Sequence, residues 1–279
     1  MIIDSHQHFW DRSQTQFDYS WQEADGLENI CKTFLPSDLL PLLQKAGVDR
    51  TVVVQTQHDT AENHWALQLA DENEFIVGVV GWVDLASDNC ERQLLEFKDH
   101  PLFVGVRHVT QDEPDDDFII RPDVGKGLSV LEKHGVPFDL LFYTKHLPHA
   151  ATVADRFPNL PFVLNHLSKP EIKAGNIDNW RKDLAEAAKR ENVWCKLSGL
   201  VTEADHANWK PSDLQPYVDA ALESFTPDRL MFGSDWPPCN LAADYQRVID
   251  STRECIAQLS ADEQAAIMGA NAIKFYGLA

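Results

Sequence analysis

Cysteine is sparse and unpatterned in this chain: Cys31, Cys90, Cys195, Cys239 and Cys255 are odd in number, scattered, and contain no CxxC pair. That argues against a disulfide framework and for a reducing compartment. No stretch approaches the roughly 18 to 20 apolar residues that a membrane-spanning helix needs, and the opening MIIDSHQHFW has no basic region followed by an apolar run. A cytoplasmic protein with no membrane partner is the simplest expectation. Basic residues are scarce as well. Against 44 Asp and Glu stand 24 Lys and Arg, a formal charge of −20, with one local acidic concentration from Asp112 to Asp117. Such a balance disfavours electrostatic binding of nucleic acid or anionic membrane. Low-complexity tracts, Gly/Ser linkers and fixed-period repeats are also missing. Nothing divides the 279 residues, so one domain spanning residues 1–279 is expected.

What is present is an alternation of short apolar or β-branched runs with amphipathic segments, the pattern of βα units around a parallel sheet. The runs predict strands at Ile2–His8, Thr51–Gln55, Ile76–Val83, Leu102–His108, Pro137–Tyr143, Pro161–His166, Val193–Leu197 and Arg229–Gly233. Helices are predicted between them, at about Ser37–Ala46, Ala61–Glu72, Asp88–Lys98, Val124–His134, Pro148–Arg156, Trp180–Arg190, Pro211–Glu223 and Ala242–Gln258. In the first, Ser37 or Asp38 can cap and Gly47 can stop the helix. Eight of each suit a closed (β/α)8 TIM barrel better than an open sheet, although periodicity alone does not establish closure. Ser260–Ala279 reads as one or two extra helices on the barrel exterior. Two connections, Asp11–Leu35 and Thr110–Pro122, are long enough to serve as lids or binding loops.

In a barrel the chemistry collects at the C-terminal ends of the strands. The first strand ends in His6, Gln7 and His8, and alternation sets both imidazoles on one side with Gln7 on the other. Two such imidazoles can pair on a divalent metal. VLNH brings His166 to the end of the sixth strand, and LMFGSD brings Asp235 to the end of the eighth. Three histidines and a carboxylate form an N/O ligand set suited to zinc or a similar metal that activates water. Asp235 is equally placed to act as general base, or to cap the following helix.

Other polar groups fall at strand ends. Arg107 suits a carbonyl oxygen, carboxylate or developing oxyanion, with an ion pair to Asp139 or another nearby acid as its structural alternative. His58, His108 and Lys196 are candidate substrate-binding groups, as are Trp10, Trp82 and Trp236, whose flat faces can pack on a sugar-like ring or fill the core. The six remaining histidines lie away from strand ends and read as structural. Cys195 and Cys239 lack a base, which argues against a cysteine nucleophile.

Taken together, HQHFW, LNHLSKP, CKLSGL and GSDWP, with the closing NAIKFYGL, resemble the amidohydrolase-related subgroup of the amidohydrolase superfamily. The set is most similar to its sugar-acid lactonases, the L-fuconolactone and L-rhamnonolactone hydrolases. The resemblance implies a (β/α)8 barrel that opens an aldonolactone, with His6, His8, His166 and Asp235 on the metal and base positions and Asp235, His166 and Arg107 as the catalytic set. It implies one divalent metal, zinc, with metal-independent hydrolysis as the alternative: strand four offers Arg107 rather than a bridging lysine or glutamate, and strand five ends in Phe142 and Tyr143 without histidine, which argues against two metals. Rival expectations are a decarboxylase of the same superfamily, a hydrolase of aromatic-degradation lactones, a metallophosphatase and a silent sugar-acid binder. Homo-oligomerisation is left open.

Overall fold

The computed structural model describes residues 1–279. Eight strands lie side by side in chain order, each parallel to the next: β1 (Ile3–Gln7), β2 (Arg50–Val54), β3 (Ile76–Gly81), β4 (Phe103–His108), β5 (Phe138–Leu140), β6 (Phe162–Leu164), β7 (Val193–Leu197) and β8 (Leu230–Phe232). One helix follows each strand: α1 (Pro36–Ala46), α2 (Thr60–Glu72), α3 (Cys90–Phe97), α4 (Pro122–His134), α5 (Pro148–Arg156), α6 (Asp178–Ala188), α7 (Pro211–Phe225) and α8 (Tyr245–Cys255). The chain therefore folds as the (β/α)8 barrel that its alternation predicts. No helix is long and apolar enough to cross a membrane.

Closure occurs just beyond β8. Asp235 donates its backbone N–H to the His6 carbonyl at 2.8 Å, and His8 donates to the Trp236 carbonyl at 2.7 Å. The bonds that join last strand to first thus also set Asp235 beside the two histidines.

Strands buried on both faces need apolar residues on both, as RTVVV of β2 illustrates. The outward face packs under the helices in a large apolar shell that includes Val53, Val79, Leu164 and Phe232. The opposite face forms a smaller cluster: Ile3, Val52, Val54, Val80, Val104, Val163, Trp194 and Met231, joined by Phe275, Tyr276 and Leu278. The last three belong to the C-terminal segment, α9 (Ala261–Ala265) and α10 (Asn271–Tyr276) joined by a π turn. This corrects the expectation of helices on the exterior. The segment plugs the N-terminal mouth of the barrel, because its aromatic side chains supply the lowest layer of the interior.

Two local expectations are refined. Gly47 does end α1, in the left-handed conformation at φ 69°, but the N-cap position belongs to Leu35, whose N–H donates to the Asp38 carboxylate. Strands β5 and β6 are three residues each: a 3-10 turn takes over from β6 at Asn165, and beyond Leu140 the chain leaves the sheet although Leu141, Phe142 and Tyr143 continue the apolar run.

Gly127 sits within α4, where alanine would ordinarily stabilise a helix by about 1 kcal/mol. A Cβ there would run into the backbone carbonyl of Leu85. Overlap with backbone outweighs propensity, so Gly127→Ala is expected to destabilise by about 1–3 kcal/mol. The check is a thermal melt followed by circular dichroism; an unchanged or raised midpoint contradicts the packing argument.

Candidate active site

A cavity of ≈ 390 Å³ opens at the C-terminal end of the barrel, reached by His8, Arg107, His166 and Asp235 from four different strand ends. That volume suits a small organic substrate. His6 lies beneath it, fully buried, with its ring centroid 4.9 Å from His8 and 4.4 Å from His166.

Simple alternation does not explain how His6 arrives there. Between Asp4 and Gln7 the pairing of β1 with β2 slips by one residue, since Asp4 matches Thr51 while Gln7 matches Val53. Such a bulge re-aims side chains near functional sites. It leaves Asp4 accepting from the Ser234 N–H and Tyr245 hydroxyl, while Ile3 and His6, three residues apart, both reach the interior.

His166 and Asp235 are held in uncommon backbone conformations. Asp235 has φ 56°, and His166, Leu167, Ser168 and Lys169 all have φ between 51° and 56°. For L residues this costs about 1–2 kcal/mol each, and strain of this kind clusters at functional sites. Gly199 makes room for the turn: a Cβ there would lie 2.5 Å from His166 Nδ1.

Each imidazole has a defined second partner. His8 Nδ1 bonds the Val54 carbonyl at 2.7 Å, so it carries the proton there and turns the Nε2 lone pair upward. His166 Nδ1 shares a 2.9 Å hydrogen bond with Ser198 Oγ. His6 meets positive groups on both sides, Lys196 Nζ 3.3 Å from Nδ1 and Arg107 Nη1 3.3 Å from Nε2. Burial pushes all three imidazoles below their ordinary range, Lys196 adding to the effect at His6, and takes His166 to about 3. They are neutral at physiological pH. Burial pushes Asp235 upward, but His166, His8 and Lys169 together pull it below its usual value. It is a carboxylate in the working range.

Arg107 forms no ion pair with Asp139 or another acid, the structural alternative. Its Nε and Nη2 donate to Gln55 Oε1 at 3.1 and 3.0 Å, and Nη2 also donates to the Gln55 carbonyl. This fork fixes the plane of the guanidinium. Burial lowers its pKa to about 10, with Asp139 and Asp235 opposing, so it stays charged.

For a divalent cation, His6, His8 and Asp235 offer donor atoms all within 4.8 Å of one another. The His8 Nε2 to Asp235 Oδ1 distance is 3.4 Å and that from His166 Nε2 is 3.8 Å. The backbone carbonyl behind His8 is a usual outer partner of a ligating histidine. The set fits one cation of zinc-like preference, in competition with Arg107 for the lone pair of His6. A second cluster, His58, His108 and Glu113, also brings its donor atoms within 4.8 Å of one another, but its ring nitrogens are already engaged within the protein, His58 Nε2 accepting from the Val109 N–H at 3.0 Å. Its two rings stack at 4.0 Å and 26°, so their in-plane lone pairs run side by side; His108 Nε2 lies 2.7 Å from Glu113, and its Nδ1 accepts from Trp82 Nε1.

Of the expected substrate-binding residues, only Trp10 lines the cavity, its indole N–H donating to the Lys32 carbonyl at 2.7 Å. Trp82, His58 and His108 form a stack with Phe118 that braces the loop after β4. Trp236 lies outside the barrel against Phe9 and Phe34. Lys196 points inward as expected but one layer too deep, paired with Asp139 at 2.6 Å. The cavity wall instead includes Trp21, Leu27 and Ile30 from the first long loop, Gln111 and Asp112 from the second, and Lys169, Thr202 and Glu203 beyond β6 and β7. Lys169 was within reach of the sequence, inside LNHLSKP three residues past His166. Glu203 had only its place after a strand end to mark it.

A family model described as Amidohydrolase matches residues 3–278. A protein of Burkholderia ambifaria named L-fucono-1,5-lactonase is 38% identical over 98% of this chain and 94% of its own. One of the same name from Burkholderia multivorans is 37% identical over 99% and 96%. A crystal structure of an amidohydrolase from Burkholderia multivorans with bound zinc superposes with TM-score 0.93 at 36% identity, covering both chains fully.

Proposed function

Since the chain belongs to the amidohydrolase family, we propose that it hydrolyses a sugar-acid lactone in carbohydrate catabolism, a six-carbon aldonolactone such as L-fuconolactone or L-rhamnonolactone. The observation that carries the reading is an ionised Asp235, ringed by neutral imidazoles, in a small cavity that it shares with the clamped guanidinium of Arg107.

Asp235 takes a proton from water, and the water oxygen bonds to the lactone carbonyl carbon. The carbonyl electrons move to oxygen, where Arg107 stabilises the negative charge; donors fixed in advance are usually the largest contribution in acyl transfer. Collapse breaks the bond to the ring oxygen, which takes the proton back from Asp235 and leaves an open hydroxy acid. His166, neutral and held by Ser198, orients the attacking water. His6, His8 and Asp235, with His166 alongside, are the residues that would hold a single zinc, which when bound supplies Lewis-acid polarisation of the carbonyl. Five free cysteines fit a reducing, cytoplasmic setting.

The test is a screen of five- and six-membered aldonolactones, run with zinc or with chelator, alongside carbon dioxide release from carboxylated aromatics. Ring opening of a six-carbon aldonolactone is expected, with chelation lowering the rate by no more than about tenfold because Arg107 remains at the oxyanion. Decarboxylation without any lactone hydrolysis would sink the proposal.

A further inference from the structure

A sugar lactone carries several hydroxyls, which the groups assigned to the ring-opening step do not engage. Two charged side chains on the wall of the same cavity, Lys169 and Glu203, transfer no proton and hold no oxyanion in that step, Lys169 touching it only through the charge that helps keep Asp235 ionised. The Lys169 ammonium forms no salt bridge or hydrogen bond within the protein; its one close partner is the face of Tyr143, 5.2 Å from the ring centroid. The Glu203 carboxyl likewise has no hydrogen-bonded or ion-paired partner, although the residue is half-buried. Half-buried charges without partners are costly, which makes their meeting at a single cavity informative.

Both are held there by built features. Lys169 ends the run of four left-handed residues, and its carbonyl accepts from Thr144 Oγ1 at 3.0 Å. The Glu203 carbonyl accepts from the Lys173 N–H at 3.0 Å, tying the loop after β7 to the loop after β6. Both side chains line the one cavity, and burial pushes the Glu203 carboxyl upward while Lys169 pulls it back.

We propose that Lys169 and Glu203 determine specificity by gripping the hydroxyls of the lactone ring, the ammonium donating to one hydroxyl oxygen and the carboxylate accepting from another hydroxyl. The proposal rests on the lactonase reading. A site built to hydrogen-bond substrate hydroxyls discriminates strongly against an analogue that lacks them, by about 10⁴-fold in favourable cases. An apolar side chain at Lys169, or an amide at Glu203, takes away part of that grip while leaving Asp235 and Arg107 in place.

The experiment compares kcat/KM for the best six-carbon aldono-1,5-lactone with that for δ-valerolactone, which has the same ring and no hydroxyls, in the wild type, Lys169→Met and Glu203→Gln. Each substitution is expected to lower the ratio of the two by at least about tenfold, the worth of one charged hydrogen bond, with the rise falling mainly on KM of the sugar lactone. A ratio that changes by less, with both substrates falling together or neither falling, overturns the proposal. Should Lys169→Met fail to fold, the isosteric Glu203→Gln decides it. A wild-type protein that opens neither lactone overturns the lactonase reading itself, an outcome distinct from an active enzyme whose ratio stays fixed.

Discussion

Asp235→Asn is expected to lower kcat/KM for lactone hydrolysis by about 10³- to 10⁴-fold, the upper part of the range for a general base. The substitution is isosteric and keeps the backbone bonds to His6 and Cys239 that hold residue 235 in place, so a thermal midpoint close to wild type should accompany the loss. The pH profile gives a second reading. A base must be ionised to work, so the rate falls as pH drops through the Asp235 pKa, which His166, His8 and Lys169 hold below the ordinary value of 3.8 against the opposing effect of burial. Burial holds all three imidazoles below 6.5, His6 well below and His166 at about 3. The wild-type profile is therefore expected to stay flat through the usual histidine range, despite three histidines at the site. Activity of Asp235→Asn within tenfold of wild type would remove Asp235 from the mechanism.

Arg107→Met carries the second large effect. Removing a fixed donor from a developing oxyanion costs about 10²- to 10³-fold in kcat, and the fall is expected in kcat more than in KM because the charge it stabilises exists only beyond the ground state. Arg107→Lys keeps the charge but cannot reproduce the fork on Gln55, so it should recover little. Steady-state kinetics on the same lactone measure both, with melting curves to detect the cost of stranding the Gln55 acceptors. A KM effect alone, with kcat preserved, would make Arg107 a binding group rather than an oxyanion donor.

How far the sequence led can be judged from particular side chains. His8, His166 and Asp235 could be found because strand ends share one face, and the motif order located those ends. Lys196 shows where such reasoning stops. Alternation says whether a residue points inward, not at what height along the barrel axis, and Lys196 faces inward beneath His6 rather than on the cavity floor. Trp82 and Trp236 went astray for a related reason: nearness to a strand end in the chain does not fix direction once the chain turns away. The slip between Asp4 and Gln7 has no signature in residue types, since it depends on the register of the neighbouring strand. Lys169 and Glu203 lie in loops whose paths no period describes.

The bonds from Asp235 to His6 and from His8 to Trp236 have one more consequence, in time rather than in space. They join residues more than 220 positions apart, so a growing chain carries His6 and His8 from the start yet has no carboxylate opposite them until the eighth strand has been synthesised. Contacts this distant in sequence form late, after the loop-closure entropy has been met. Every shorter nascent chain thus lacks the carboxylate of the site, and the barrel's final seam is also the event that completes the constellation.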